Sequence, residues 1–565
     1  MEPRSPSKSK LPIMGFIYKH RALKIGLTLL IILLLLLVGV YVSSKPWKTR
    51  FGSKRSYFTV VVDCGSTGTR VSVYEWMIKS GFGDRELPIL INAYLDNSTN
   101  SHSRKGSCQY HCIQTEPGLD KFVGNSSGVK TAIKPLILWA EQWVPFERRR
   151  DTPIYVLATA GLRRLPSEDA RWVLEDIEAV VKEHAFMYRK SWIRVLSGKE
   201  EAYYGWVALN YKLGIFNNST RLPTLGLLDL GGSSLQVVAE IDDLKEDERF
   251  LRSKIGSLEH LIFASSWSAF GFNEAFDRTV VMLSHSQALR QGSWGTFEVS
   301  HPCLSTNFVQ NYTCKGCFGL SSSDSESLHS QVQRNELNSI FLVGEPNWER
   351  CKVLARAAAV NSSGSDWSLL TDGSKCEASS ASLNGSNVLN LTTITQSIPR
   401  FHALSGFFAV YTTLNLSPRA NLTKIWEKGQ ELCSRSWADL SSTSKSQNYA
   451  AQYCFRVPYM ASLIEDALCL TDKEIIFGPG DVSWTLGAAL VDGGFLWLGS
   501  SRAQTNILTL KNMGVISSTV FLFIFLVFLC FLVYRSQVKL PMPSKKVVAV
   551  GPSLPSYIFP KRRPN

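Results

Sequence analysis

The stretch FTVVVDCGSTGTRVSVYEW, residues 58–76, places a small polar turn between two strand-like segments. An apolar run, Val60–Val62, ends at Asp63, and alternating apolar residues resume at Val71. Glycine and small hydroxyl residues let backbone N–H groups point into a concavity that suits phosphate oxygens. An ordinary hairpin turn would have a similar composition. The candidate phosphate-binding residues of this turn are Gly65, Ser66, Thr67, Gly68 and Thr69.

A second stretch, TLGLLDLGGSSLQVVAEI at residues 224–241, repeats the pattern. Each copy has an apolar run, an Asp, one residue and a Gly before the polar turn, and Asp63 and Asp229 are 166 residues apart. Repetition at the spacing of a domain predicts two similar lobes facing each other across a cleft. Two carboxylates on opposite sides of a cleft suit a hydrated divalent cation. The chain contains neither a G-x-G-x-x-G helix start nor a P-loop sequence.

Strand-like and helix-like segments alternate from residue 57 to about residue 215, which predicts an α/β fold. The first lobe is expected at 57–215 and the second lobe, with insertions, at 216–500. Residues 167–184 predict an amphipathic helix that begins at a Ser167 cap. Its buried face is expected to include Trp172, Ile177 and Val180.

The formal net charge of +14 is concentrated in two basic tails. Residues 1–24 carry six Lys and Arg against Glu2, and residues 535–565 carry seven Lys and Arg and no acid. The rest of the chain is therefore close to neutral, so the pI of about 9.2 does not indicate a nucleic-acid partner.

Each basic tail adjoins an apolar segment, 25–42 or 513–534, that is long enough to cross a bilayer as a helix. The positive-inside bias places both tails in the cytosol, with stalks at 43–56 and 501–512 on the far side. This predicts a two-pass membrane protein of the Golgi, the secretory pathway or the plasma membrane, with a lumenal or extracellular middle part. A cleaved signal peptide is the alternative for the first segment, although its apolar run is long for one.

Two counts support an exported middle part. Ten Asn-x-Ser/Thr sequons fall between the two apolar segments, and those at Asn217 and Asn415 are disfavoured by overlap and by a following proline. Ten cysteines remain when Cys64, in the first turn, and Cys530, in the second apolar segment, are set aside, which predicts five disulfides. Glycosylation is expected at Asn97, Asn125, Asn218, Asn311, Asn361, Asn384, Asn390 and Asn421.

Four further motifs follow the first turn in order: VLATAGLRRLP (156–166), VLSGKEEAYYGWVALNYKLG (195–214), LLDLGGSSLQ (227–236) and FGPGDVSWTLGAAL (477–490). Over residues 57–498 the chain resembles the apyrase family, the nucleoside triphosphate diphosphohydrolases, within the actin, sugar kinase and Hsp70 superfamily. It is most similar to the divergent membrane-bound apyrases of plants. The resemblance implies two actin-like (ribonuclease H-like) lobes with an interlobe cleft, between N- and C-terminal transmembrane helices.

The resemblance also implies roles for the matching residues. Asp63 and Asp229 correspond to the acids that hold a metal ion through its water shell. Glu201 corresponds to the general base, and Ser234 and Gln236 to the residues that position the attacking water. The phosphate-binding positions are Gly65, Ser66, Thr67, Gly68, Thr69, Thr159, Ala160, Gly161, Gly231, Gly232 and Ser233.

Some positions depart from the family pattern. The family often has Ser-His at Thr67-Gly68, Ala at Cys64 and Gly at Ala202, and its Ala-Ser-Thr-Gln reads Ser-Ser-Leu-Gln at residues 233–236. None of these changes removes an acid or the water-positioning Ser and Gln.

The leading interpretation is a membrane-anchored hydrolase of nucleoside tri- and diphosphates that requires Ca²⁺ or Mg²⁺. The alternatives are a catalytically impaired nucleotide-binding membrane protein of the same fold and a kinase-like phosphotransferase. Glu200 competes with Glu201 for the role of base, but adjacent helix residues point about 100° apart, so at most one faces the cleft. The aromatic-rich run 401–411 and Trp484 are candidates for stacking on a nucleobase, although core packing would explain the same composition.

Overall fold

The computed structural model describes residues 56–78, 87–94, 114–217, 222–242, 249–256, 258–286, 290–291, 297–313, 339–360, 398, 400–419, 421–439 and 447–496. These ranges belong to one compact unit, Lys54–Arg502. The two apolar segments expected to cross the membrane, and both basic tails, lie outside the described residues. Within the ranges above, no helix is both long and apolar enough to span a bilayer.

The described ranges contain sixteen strands. They are β1 (Ser56–Cys64), β2 (Thr69–Met77), β3 (Ile89–Tyr94), β4 (Gln114–Thr115), β5 (Ile154–Ala158), β6 (Ile193–Val195), β7 (Gly226–Leu230), β8 (Leu235–Glu240), β9 (Phe250–Ile255), β10 (Leu258–Trp267), β11 (Arg290–Gln291), β12 (Phe297–His301), β13 (Val309–Thr313), β14 (Ser339–Gly344), β15 (Arg400–Ser405) and β16 (Glu474–Phe477).

Two six-stranded sheets repeat one topology. In the first, the order is β3-β2-β1-β5-β6, with β4 beside β2; the second has the order β9-β10-β8-β7-β15-β16. In both sheets a central strand, β1 or β7, pairs antiparallel with the next strand along the chain and parallel with a later one. The duplication inferred from the two hairpins is therefore a duplication of whole sheets, and the α/β prediction is confirmed. A smaller third sheet has the order β11-β12-β14-β13.

The helices of the described ranges connect and cover these sheets. They are α1 (Ser126–Trp143), α2 (Ala160–Arg163), α3 (Ser167–Lys182), α4 (Gly198–Lys212), α5 (Phe272–Ser286), α6 (Trp348–Ala359), α7 (Gly406–Thr413), α8 (Leu422–Cys433), α9 (Gln447–Ser462) and α10 (Trp484–Asp492).

The prediction for α3 was right in position and wrong in two details. Its N-cap residue is Pro166, and no side chain caps the helix, because Ser167 is already the first helical residue. Trp172 is 57% exposed. The buried stripe instead passes through Val173 and Ile177, since these two residues lie one helical turn apart on the same face.

Helices α4 and α10 connect the two sheets into a shared core. Helix α4 follows β6 of the first sheet but packs on β7, β8 and β10 of the second, whereas α10 packs on α4 and on β1 and β2 of the first. One hydrophobic cluster joins Tyr155 and Leu157 of the first sheet to Leu227 and Ile262 of the second, with Trp206 of α4 between them. This exchange of helices fixes how the two sheets face each other.

Glycine makes the close crossing of α4 and α10 possible. A Cβ atom built on Gly487 in α10 would lie 1.9 Å from the carbonyl oxygen of Tyr204 in α4. A Cβ on Gly205 would lie 2.8 Å from a methyl carbon of Leu227. Because the Tyr204 carbonyl belongs to the backbone, it cannot rotate away from a side chain added at Gly487.

Two disulfides have both cysteines within the described ranges. Cys303–Cys351 joins the segment after β12 to α6, and Cys433–Cys454 joins the end of α8 to α9. Cys64 is buried and free. The remaining pairs of the five predicted disulfides involve cysteines outside the described residues.

We expect Gly487→Ala to lower the free energy of unfolding by about 1–3 kcal/mol, the usual cost of inserting a methyl group into a packed interior. The added methyl carbon would overlap the Tyr204 carbonyl unless the two helices separate. Thermal unfolding of the full chain measures this change. Val491→Ala is the control, since Val491 lies on α10 and is 38% exposed. Equal melting temperatures for Gly487→Ala and the wild type would contradict the tight crossing.

Candidate active site

A cavity of about 460 Å³ lies between the repeated hairpins. Its size is within the range of about 300–1,000 Å³ that is typical of small-molecule sites. Asp63 and Thr67 line it from the first hairpin, and Asp229 and Ser234 line it from the second. The cavity therefore lies where the two turns predicted a cleft.

Most of the residues singled out from the sequence line this cavity. The lining ones are Asp63, Gly65, Ser66, Thr67, Thr159, Ala160, Glu201, Asp229, Gly231, Gly232, Ser233, Ser234 and Gln236.

The exceptions, which support the loops without lining the cavity, are Gly68, Thr69 and Gly161. A Cβ on Gly68 would lie 2.7 Å from the carbonyl oxygen of Thr115, and one on Gly161 would lie 3.0 Å from Cα of Ser66. Thr69 is fully buried.

The two turns have the same backbone geometry and touch at their tips. Gly65 N–H donates to the carbonyl of Gly68 at 3.0 Å, and Gly231 N–H donates to the carbonyl of Ser234 at 2.8 Å. The hydroxyl of Ser233 donates to Ser66 Oγ at 3.0 Å across the cleft. Two small hydroxyl side chains, one from each sheet, therefore meet where phosphate oxygens were predicted to bind.

Of the two strand-end acids, Asp63 is buried and Asp229 is half-buried, and the charge of each is only partly compensated. Burial raises the pKa of Asp63, and the guanidinium of Arg70, with Nη1 3.4 Å from Asp63 Oδ2, opposes that rise. Burial also raises the pKa of Asp229 to about 6; a hydrogen bond from Ser405 opposes this change and the charge of Asp63 adds to it. Because both carboxylates are shielded from water and their charges are not fully paired, a cationic ligand beside them is favoured.

The arrangement fits a divalent cation held through water. Asp63 Oδ1 is buried and has no hydrogen-bond partner among the described residues. No group of three or more His, Cys, Asp or Glu side chains in the described ranges has the geometry of a metal site. Two carboxylates would leave most coordination positions of a divalent cation to water, as is common for Mg²⁺.

Glu200 and Glu201 have different surroundings. Glu200 forms a capping box at the start of α4: its Oε2 accepts from Ser197 N–H at 2.9 Å, and its own N–H donates to Ser197 Oγ at 3.2 Å. Glu201 lines the cavity, and its Oε2 accepts from Arg163 Nη2 at 3.0 Å. The Ser-x-x-Glu spacing is a capping signal that already distinguishes the two acids in the sequence.

Burial raises the pKa of Glu201 to about 7; Arg163 lowers it, and the charges of Asp63 and Asp229 raise it further. A carboxylate with a pKa near neutrality is suited to accepting a proton at neutral pH. Arg163 is itself anchored, since its Nη1 donates to the carbonyl of Leu196 at 3.0 Å. Glu201 is thus held by a fixed cation at one oxygen.

No arginine of the site was singled out from the sequence. Arg70 lines the cavity beside Asp63, and Arg163 holds Glu201. Arg164 reaches across the cleft, where its Nη2 donates to Ser233 Oγ at 2.5 Å and its Nη1 pairs with Glu274 of α5. An Arg-Arg pair in a sequence commonly indicates a solvated surface, so only the fold reveals these contacts.

The aromatic run 401–411 contributes small residues to the cavity rather than rings. Gly406 and Ala409 line it. The rings of Phe407 and Tyr411 are buried in the hydrophobic core of the second lobe. Trp484, the other aromatic candidate, does line the cavity, as do Tyr453 and Phe272, which the sequence did not single out.

Residues 51–496 match the GDA1/CD39 (nucleoside phosphatase) family. The chain is 39% identical over 486 residues to the probable apyrase 7 of Arabidopsis thaliana; the match covers 85% of this chain and 61% of that protein. It is 24% identical over 478 residues to the nucleoside-diphosphatase mig-23 of Caenorhabditis elegans, covering 77% of each. The chain thus spans about three fifths of the first relative's length.

Among solved structures, the chain resembles that of nucleoside triphosphate hydrolases from Neospora caninum, with a TM-score of 0.50 and 15% identity. This likeness covers 77% of this chain and 92% of that one, and it concerns the fold. The family match spans both repeated sheets and the cavity between them, and the chain belongs to the GDA1/CD39 (nucleoside phosphatase) family.

Proposed function

We propose that this protein hydrolyses the phosphoanhydride bonds of nucleoside tri- and diphosphates, with Ca²⁺ or Mg²⁺ as cofactor. The main observation is that one cavity combines a half-buried carboxylate, Glu201, with Ser234, Gln236 and two phosphate-type turns. The names of the relatives, a probable apyrase and a nucleoside-diphosphatase, agree with these substrates.

The turns would hold the phosphate chain. Backbone N–H groups of glycine-rich turns and small hydroxyl groups both donate to phosphoryl oxygens. Ser66 and Thr67 offer hydroxyl groups from the first turn, and Ser233 offers one from the second. Since the two turns belong to different sheets, phosphates bound between them contact both lobes.

Glu201 would activate the attacking water. Phosphoryl transfer needs an aligned nucleophile and neutralisation of charge more than covalent help from the protein. Glu201 accepts the proton of a water that Ser234 and Gln236 hold in place. The water oxygen then bonds to phosphorus as the anhydride oxygen leaves with the electron pair.

Asp63 and Asp229 would hold the cation through its water shell, consistent with the unpartnered Oδ1 of Asp63. When bound, such an ion neutralises charge on the phosphoryl oxygens. Arg70 keeps Asp63 in place from the other side, at 3.4 Å.

We propose further that the protein is anchored by two membrane spans, 25–42 and 513–534, with the family domain lumenal or extracellular. Residues 43–55 carry five Lys and Arg and no acid, so the charges on the two sides of the first span balance. The orientation is therefore inferred from the second span, whose seven basic residues lie in 535–565, and from the sequons between the two spans. The predicted glycosylation sites within the described ranges, Asn125, Asn311 and Asn421, are all exposed.

Replacing Glu201, the proposed base, should lower turnover without weakening nucleotide binding. We expect Glu201→Ala to lower kcat at least about 100-fold, because the bound water loses its proton acceptor. Glu200→Ala is the matched control: it removes a helix cap worth about 1 kcal/mol and should leave turnover nearly unchanged. The measurements are phosphate release and nucleotide affinity for both variants. Wild-type turnover in Glu201→Ala would assign the base elsewhere, and a wild type without turnover on any nucleotide would favour the non-catalytic alternative.

Metal binding can be measured without turnover. We expect Mg²⁺ or Ca²⁺ at 100 times its Kd to stabilise the wild type by about 2.7 kcal/mol, seen as a rise in melting temperature. Asp63→Asn and Asp229→Asn should each abolish most of that rise. Asp481→Asn should retain it, since the Asp481 side chain is 57% exposed. An undiminished rise in both site variants would show that these acids do not hold the ion.

The proposed topology has a direct test in sealed vesicles that carry the full chain. Protease added outside should remove only the tails, and glycosidase should lower the apparent mass. Digestion of the middle part in intact vesicles would exclude the two-span orientation.

A further inference from the structure

We propose that Ser266 is a positioning residue that fixes the amide of Gln236 in the orientation needed to hold the attacking water. This role presupposes the proposed hydrolysis. Ser266 lies on β10, outside every motif that indicated the site from the sequence.

The amide nitrogen of Gln236 faces two serine hydroxyls. Gln236 Nε2 donates to Ser234 Oγ at 2.7 Å and to Ser266 Oγ at 3.0 Å. An amide nitrogen has two hydrogens, so both are used. The amide atom that remains to accept a hydrogen bond from water is therefore Oε1.

The position of Ser266 follows from strand pairing. In the antiparallel pair of β10 and β8, Ser266 is directly opposite Gln236. Directly opposed residues place their side chains on the same face of a sheet. Ser265, the preceding residue, is opposite Val237 and points to the other face.

Ser266 also contacts the helix that carries the proposed base. A Cβ atom built on Gly198, the first residue of α4, would lie 2.5 Å from Ser266 Cβ and 2.6 Å from Ser266 Oγ. Gly198 is three residues before Glu201 and comes from the first lobe. Ser266 is thus packed between the strand that presents Gln236 and the helix that presents Glu201.

In the proposed mechanism, the attacking water forms three hydrogen bonds with side chains of the cavity. Its two hydrogens go to Glu201 and to Gln236 Oε1, and one lone pair accepts from the hydroxyl of Ser234. The other lone pair is then free to attack phosphorus. As the O–P bond forms, the anhydride P–O bond breaks, Glu201 takes the proton and the leaving phosphate keeps the electron pair.

Loss of the Ser266 hydroxyl would release one amide hydrogen of Gln236. The amide could then rotate and present Nε2 to the water, where a donor would occupy the lone pair needed for attack. The turns proposed to hold the phosphates include neither Ser266 nor Gln236. The expected defect is therefore in the chemical step and not in substrate affinity.

We expect Ser266→Ala to lower kcat about 10- to 100-fold, comparable to the effect of a small misplacement of a reacting group, with KM within about twofold of the wild type. Ser265 is buried on the opposite face of the sheet, so Ser265→Ala should leave kcat and KM unchanged. Gly198→Ala should lower kcat in the same direction, since its methyl group would displace Ser266. Melting temperatures for all three variants measure any loss of folding.

A double-mutant cycle separates positioning from general packing. If Ser266 acts through Gln236, then Ser266→Ala should cause no further loss of kcat when added to Gln236→Ala. Multiplicative losses, or an unchanged kcat in Ser266→Ala beside an active wild type, would overturn the role of Ser266 while leaving the proposed hydrolysis intact. A wild type without turnover would overturn both.

Discussion

The crossing of α4 and α10 is the contact on which the rest of this structure depends. Each helix packs against the sheet of the other lobe, and Gly487 lies so close to the Tyr204 carbonyl that any side chain would separate them. Because Glu201 is on the first turns of α4, the packing that joins the lobes also aims the proposed base at the second hairpin. Fold stability and site geometry are therefore set by the same interface.

The negative charges within the cavity destabilise the protein when no cation is bound. Asp63, Asp229 and Glu201 lie together in the cavity; the charge of Asp63 raises the pKa of both other acids, and the charge of Asp229 raises that of Glu201. Arg70 and Arg163 each compensate one acid, which leaves Asp229 with a neutral partner, Ser405. Concentrated, incompletely paired negative charge destabilises the fold but strengthens attraction for a cation.

Local sequence was enough to predict the duplication and the two turns, whereas the preference for Glu201 over Glu200 came from the resemblance to the apyrase family. The turns are contiguous segments with a fixed pattern, and the choice between Glu200 and Glu201 depends on one helical step. Contacts between the lobes had no local pattern. Arg164 and Ser266 reach the site only because distant strands and helices meet, and Trp172 was misplaced since helical periodicity alone does not identify which side faces the sheet.

Two different kinds of contact join the lobes at the two ends of the cleft. At its base the lobes share a continuous apolar core, where each buried large side chain contributes about 1.5–3 kcal/mol. At its mouth they are joined by polar contacts of Ser233 with Ser66 and of Arg164 with Ser233 and Glu274, worth about 0.5–1.5 kcal/mol each. The polar contacts are therefore the weaker of the two sets that join the lobes.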